Sequence, residues 1–238
     1  VQSEEFQRLG VLGDWADPYT TMAYPAEAKI AEELGKLLMD GSLYRGTKPV
    51  MWSPVEKTAL AEAEIEYEDH TSVTIYARFP VIKAAHKVLQ GASVVIWTTT
   101  PWTMPANRAV AYGDDISYQI VEVVDVSEGS LCEQGDVLVI ADDLADDVVA
   151  AIGVKERALR ANLMGHEMAG TITAHPMAGH GYDYEVPLLA GSHVTTDQGT
   201  GFVHIAPGHG VEDYELAHLK HGIAVPDTVS ENGEILPH

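Results

Sequence analysis

A chain of 238 residues makes one large domain or two small ones and is long enough to bury a real core. Hydrophobic residues at 46% and charged residues at 21% exclude wholesale disorder, and a formal charge of −22 excludes a protein that coats duplex DNA or an anionic membrane through a general basic surface. A single cysteine, Cys132, excludes an internal disulfide framework and suits a reducing compartment, so a cytoplasmic location is expected.

The chain opens VQSEEFQRLG, with neither Met nor a basic-then-apolar signal pattern. No apolar run reaches the roughly 18 residues of a membrane span, so no membrane partner is expected. The last residues, ENGEILPH, stop without a helix cap. These ends suggest a piece excised from a longer protein, with its two ends close together if the piece is an insertion.

The first element the pattern predicts is a helix over 25–39. Ala28, Ile30, Ala31, Leu34, Leu37 and Leu38 form its apolar stripe, read as core packing, with Pro25 in the first turn and Gly41 past the end. From Gly46 onward the texture changes to short strands, predicted over 48–53, 63–68 and 71–79. In the last of these Val73, Ile75, Ala77 and Phe79 alternate with mostly polar neighbours. A run of Val94, Val95, Ile96 and Trp97 predicts a central buried strand over 92–98. Further strands are expected over 117–126 and 136–140, then an acidic helix over 142–152 with Asp142 and Asp143 at its positive end. Strands over 167–174, 185–189 and 201–206 and a final helix over 211–221 complete the series. The implied organisation is a helical lead-in, 1–45, and a domain, 46–238. The fold class is α+β and β-rich, barrel-like with peripheral helices.

Two segments carry candidate chemistry. WTTTPWTMPAN, at 97–107, puts three threonines at the exit of the buried strand, with Thr98 and Thr100 on one side and Thr99 on the other. Hydroxyls there would position a water, a carbonyl or a sugar hydroxyl, and Pro101 and Pro105 stiffen the loop. The plain alternative is a strand ending in β-branched residues. GTGFVHIAPGHGVED, at 199–213, places His204 near the end of a strand and Glu212 and Asp213 in the first turn of a helix. Acids there complement the helix dipole, or one of them captures a substrate ammonium. The glycine order is not the dinucleotide fingerprint. The 11 histidines, seven of them from His175 to His221, raise a metal-dependent hydrolase as a rival, but no His-x-x-x-His spacing occurs, and neither a metal nor a cofactor is expected.

WTTTPWTMPANRAVA and GTGFVHIAPGHGVEDYELA, in this order, resemble the threonine-rich and aspartate-bearing motifs of the editing domain, connective polypeptide 1, of class I aminoacyl-tRNA synthetases for isoleucine, valine and leucine. RLGVLGDWADPYTTM, KPVMWSPVEKTALAEAEIEYEDH and ENGEILPH resemble the bacterial isoleucyl type, with valyl and leucyl relatives as the alternative. Neither signature of the synthetic core is present, so the chain itself should not charge tRNA. The resemblance implies hydrolysis of valyl-tRNA(Ile), and of valyl-adenylate, with isoleucine excluded by size. It implies that Asp213 binds the α-ammonium and His204 lines the side-chain pocket. Thr98, Thr99 and Thr100 would surround the aminoacyl group and terminal adenosine, with Trp102 and Asn107 completing the site. A positioned water, rather than a protein nucleophile, would attack the ester. The implied partners are the 3′ CCA end of tRNA(Ile), valine and valyl-adenylate analogues and the remainder of a parent synthetase, around a monomer. With a charge of −22, the other domains would supply most of the tRNA affinity.

Overall fold

The computed structural model describes residues 1–236, so Pro237 and His238 of the terminal motif lie outside the described residues. The chain divides into two compact units, Val1–Thr47 and Lys48–His238. The first holds α1 (Gln2–Arg8) and α2 (Tyr24–Met39). Pro25 starts α2, and Lys29–Glu33 and Lys36–Glu32 pair one turn apart along it. The expectation of core packing fails here, because α2 has no buried residue and Leu34 is 53% exposed. Two short helices offer no second layer on which the stripe could be buried.

In the second unit a small antiparallel pair, β1 (Trp52–Ser53) and β2 (Thr58–Ala59), precedes β3 (Ile75–Lys83) and β4 (Ser93–Thr98). The strand expected over 63–68 is absent. A 3₁₀ turn, Glu62–Glu64, stands there, and alternating Ala and Glu provide little for a pleated surface to bury. Next come β5 (Ala109–Tyr112), β6 (Ser117–Val126), β7 (Val137–Ala141), α3 (Ala145–Ala151) and β8 (Val154–Met164). Then follow β9 (Ile172–Ala174), β10 (Glu185–Ala190), β11 (Phe202–Ile205) and α4 (Val211–Asp213), the last continuing as a π-helical stretch, Tyr214–Lys220. The strand expected over 167–174 begins only at Ile172, and its first two positions belong to a 3₁₀ turn, Gly165–Met168. Among the described residues no helix is long and apolar enough to cross a membrane.

Nine strands form one mixed sheet in the order β11-β5-β10-β9-β3-β4-β7-β6-β8. Its hydrogen-bonded ladder stays open, but the sheet curls until β11 also packs on β4. Across that gap the Ala141 amide donates to the Thr200 carbonyl at 2.9 Å. Gly201 makes the approach possible. Its φ is +78°, and a Cβ there would stand 2.3 Å from the Ala141 Cβ. The Tyr118 hydroxyl donates to the Gly201 carbonyl at 2.7 Å inside the same seam. The fold is therefore α+β, β-rich and barrel-like without a closed ladder.

Phe79, Ile96, Ile120, Leu138, Ile140 and Met168 fill the main core. A second cluster joins Ala109, Ala111, Leu189 and Ile205 to Leu216 and Ala217. That cluster fixes the final helix against β5, β10 and β11, and so sets where Asp213 stands.

Candidate functional site

The threonine row leaves the end of β4. Thr98 is buried and Thr99 and Thr100 are exposed, with the Oγ1 atoms of Thr98 and Thr100 3.3 Å apart. The Thr100 amide donates to Thr98 Oγ1 at 3.1 Å, which turns the chain out of the strand. A 3₁₀ turn, Pro101–Ala106, follows and delivers Asn107 to the start of β5. Because β5 is hydrogen-bonded to β11, with Val110 opposite His204, the two candidate motifs meet.

The contact between them is a directed chain of hydrogen bonds. Asn107 is fully buried and its Nδ2 donates to the Ala109 carbonyl at 2.8 Å, which fixes the orientation of the amide. The same Nδ2 reaches His204 Nδ1 at 3.2 Å, so that ring nitrogen must accept. The single imidazole proton then sits on Nε2 and is donated to Thr103 Oγ1 at 2.8 Å. Thr103 Oγ1 passes its own proton to the Thr100 carbonyl at 2.9 Å. Both ring nitrogens of His204 are thus occupied, and a second proton on Nδ1 would point at an amide donor. Burial, then the neighbouring His175 and His209, push His204 down to about 4, so the ring is neutral at physiological pH. Among the described residues the buried Oδ1 of Asn107 has no hydrogen-bond partner.

Asp213, the last residue of α4, is tied to the far end of β11. Its Oδ2 accepts the Ala206 amide at 2.7 Å, and among the described residues Oδ1 has no protein hydrogen bond. Burial pushes its carboxyl up to about 6, against the lowering effect of the Ala206 amide. An arriving ammonium would restore the ordinary, ionised preference. Trp102 is exposed and stands edge-on to His209 at 5.2 Å. The two residues wall a cavity of about 820 Å³ together with Trp52, Gly208, Gly210 and Val211. None of Thr98, Thr99, Thr100, His204, Asn107 or Asp213 lines that cavity, so it adjoins the motif contact without containing it.

The histidines of the last third are dispersed into separate hydrogen bonds, His175 to the Met104 carbonyl, His209 to Thr228 and His218 to the Ile223 carbonyl. Among the described residues no group of three His, Cys, Asp or Glu side chains is arranged to hold a metal ion. Sequence reasoning missed Thr103, which lies inside the quoted motif but carries no signal beyond its hydroxyl. It also missed His175, Tyr184 and Arg108, which hold the same loop from behind.

The buried histidines make stability depend on pH. Between its ordinary value and about 4, His204 binds a proton in the unfolded chain but not in the folded one. Its contribution is complete above about 6.5 and is lost as pH falls toward 4, amounting to about 3 kcal/mol. His175, His193 and His209 are lowered by burial and act in the same direction. Asp213 opposes them, because its contribution is present at low pH and is lost as pH rises through about 6. Unfolding free energy measured by denaturant from pH 7 to 4.5 should therefore fall with acidification, and more shallowly in His204→Gln. Equal slopes in the two proteins would mean that the ring is charged in the fold.

The family model for class I tRNA synthetases (I, L, M and V) matches residues 1–222. The isoleucine–tRNA ligase of Gluconobacter oxydans is 52% identical over 239 residues, which is 99% of this chain and 25% of that protein. That of Caulobacter vibrioides is 54% identical over 246 residues, 100% of this chain and 25% of the protein. The chain thus spans about a quarter of the length of the curated relatives it matches. Among solved structures, one described as GlLeuRS-CP1 aligns with TM-score 0.47 at 16% identity over 60% of this chain and 58% of that one. The editing domain of the P. falciparum cytosolic leucyl-tRNA synthetase aligns with TM-score 0.43 at 10% identity, covering 58% and 63% of the two chains.

Proposed function

The chain belongs to the class I tRNA synthetases (I, L, M and V), and on that premise we propose that it is the proofreading module of an isoleucyl enzyme, hydrolysing valyl-tRNA(Ile) and valyl-adenylate. The observation that carries this reading is the junction of the two motifs. The loop that follows Thr98 is joined through Thr103, His204 and Asn107 to β11, and the Ala206 amide just past β11 holds Asp213 of α4. Identity above 50% to isoleucine–tRNA ligases favours the isoleucyl over the valyl or leucyl type.

In this reading Asp213 grips the α-ammonium shared by every aminoacyl ester, through the oxygen not held by Ala206. The paired hydroxyls of Thr98 and Thr100 orient a water toward the valyl carbonyl carbon. The water oxygen forms the new C–O bond and the ester bond to the ribose breaks. The water's proton ends on the departing ribose oxygen, so valine and free tRNA leave. No side chain serves as base. His204 has both nitrogens engaged, and Cys132, whose thiol is pushed up by burial, is a poor nucleophile. The protein contributes placement and hydrogen bonds, which suits an ester already prone to hydrolysis.

A chain of net charge −22 repels a polyanion, so this unit meets the 3′ CCA end while the rest of a parent synthetase supplies tRNA affinity. The test is direct. Valyl-tRNA(Ile) and isoleucyl-tRNA(Ile) are incubated with the purified protein and release of each amino acid is followed. Valine should be released and isoleucine spared; equal release of both, or of neither, overturns the reading.

A further inference from the structure

Two amides close the loop that carries the threonine row from within, Thr103 onto the Thr100 carbonyl and Asn107 onto the Met104 carbonyl, each at 3.0 Å. Pro101 and Pro105 remove two further amide donors from the turn Pro101–Ala106, so side chains from elsewhere complete its tethering. One tether comes from His204 on β11, whose Nε2 donates to the Thr103 hydroxyl and whose Nδ1 accepts from Asn107. A second comes from the segment following β9.

His175, one residue beyond β9, is 1% exposed. Its Nδ1 accepts the Met177 amide at 3.1 Å, which places the ring proton on Nε2. Nε2 donates to the Met104 carbonyl at 2.9 Å, at the middle of the loop. The ring is wedged in place, stacked on Tyr182 with centroids 4.9 Å apart and edge-on to Phe79 at 6.1 Å. Tyr184 holds the end of the loop. Its hydroxyl donates to the Asn107 carbonyl at 2.8 Å and accepts from Arg108 at 2.6 Å. The Arg108 guanidinium lies 4.4 Å over the Tyr184 ring and also donates to the Asn107 carbonyl.

We propose that His175 and Tyr184 are positioning residues for the hydrolysis, a rear brace that acts through the Met104 and Asn107 carbonyls and fixes the spacing of the threonine hydroxyls. The proposal rests on the editing reading above. His204 grips the loop at Thr103 and Asn107, and His175 and Tyr184 grip it at the intervening and following carbonyls. Neither His175 nor Tyr184 needs to touch substrate. The ring of His175 matters as a directional donor rather than as a titrating group. A loop released by about 1 Å would lose roughly 10²-fold in rate with its hydroxyls still present.

The test compares three variants of the protein in the valyl-tRNA(Ile) assay, with melting temperature measured alongside. His175→Asn keeps an acceptor for the Met177 amide but falls short of Met104. It should lower kcat about 10- to 100-fold with KM changed less than about threefold. His175→Gln, which extends a donor to the Nε2 position, should recover most of that loss. Tyr184→Phe should lower kcat about three- to tenfold without unfolding, and decides the matter if His175→Asn does not fold. A purely structural role would reduce the folded fraction while leaving kcat per folded molecule, and its split from KM, unmoved. Folded His175→Asn or Tyr184→Phe with wild-type kcat overturns the brace. Wild-type protein that releases no valine overturns the editing reading itself, and the brace with it.

Discussion

Replacing Asp213 by asparagine is expected to lower kcat/KM for release of valine from valyl-tRNA(Ile) by about 10²- to 10³-fold, because a desolvated charge left without its partner costs about 3–5 kcal/mol. Asparagine is the informative change. Asp213 does two things, since its Oδ2 also accepts the Ala206 amide at the end of β11. Alanine would remove both roles, whereas asparagine keeps a carbonyl oxygen for Ala206 and removes only the charge. A folded Asp213→Asn protein that retains activity would take the ammonium anchor away from this residue. The wild type carries an internal check. Its carboxyl is pushed up to about 6, so the carboxylate to which the proposal assigns the ammonium is lost as pH falls through that value. Between pH 7.5 and 5, kcat/KM should drop about tenfold in the wild type and stay flat in Asp213→Asn. The inflection belongs to Asp213 rather than to His204, which remains neutral down to about 4.

Part of this arrangement is legible in the residues themselves. The run Val94–Ile96 reads as a buried strand because both faces of β4 are covered, and 117–126 reads as a strand from its β-branched residues although a bulge at Ile120/Val121 breaks the alternation. Alternation also places Thr98 and Thr100 side by side, since two residues leaving a strand share a face whatever the strand packs against. What escapes is non-local. β8 has 11 residues but is an edge strand with bulged pairing to β6, so its exposed residues show no period of two. β5 is four residues long and buried throughout, too short for any period. The stripe on α2 reads correctly as helix and misleads as core, because periodicity reports the element and not what covers it. At the site, the Thr103–His204 contact spans 101 residues and the His175–Met104 contact 71, separations at which no spacing rule operates. His175 is one histidine among 11 until the fold brings it against a carbonyl.

Replacing His204 by alanine should admit the cognate amino acid, so that isoleucyl-tRNA(Ile) is hydrolysed. In this reading, what the ring offers a ligand is decided by its hydrogen bonds. Both nitrogens are committed, to Thr103 and Asn107, and the side chain is only 7% exposed. Its remaining free surface is a carbon edge, which suits contact with an apolar side chain and cannot hydrogen-bond one. Exclusion by such an edge is steric, and it must reject one methylene. In an apolar pocket one methylene is worth about 1–3 kcal/mol, a range for which isoleucyl enzymes are themselves the standard example, so simple loss of affinity discriminates weakly. A wall that does not yield discriminates better, and the tethers of His204 at both nitrogens make it such a wall. Removing the ring should raise isoleucine release at least about tenfold while valine release falls less. His204→Ala also strips Thr103 of a donor and leaves an Asn107 proton unpaired, a cost of about 1–3 kcal/mol to the fold. His204→Gln, which fills more of the space, is the control, and isoleucine release should rise less in it. If folded His204→Ala releases valine at the wild-type rate and still spares isoleucine, the limiting wall is elsewhere. If it loses both activities while remaining folded, the ring serves the threonine loop rather than the side-chain pocket, and the size limit must be sought among other residues.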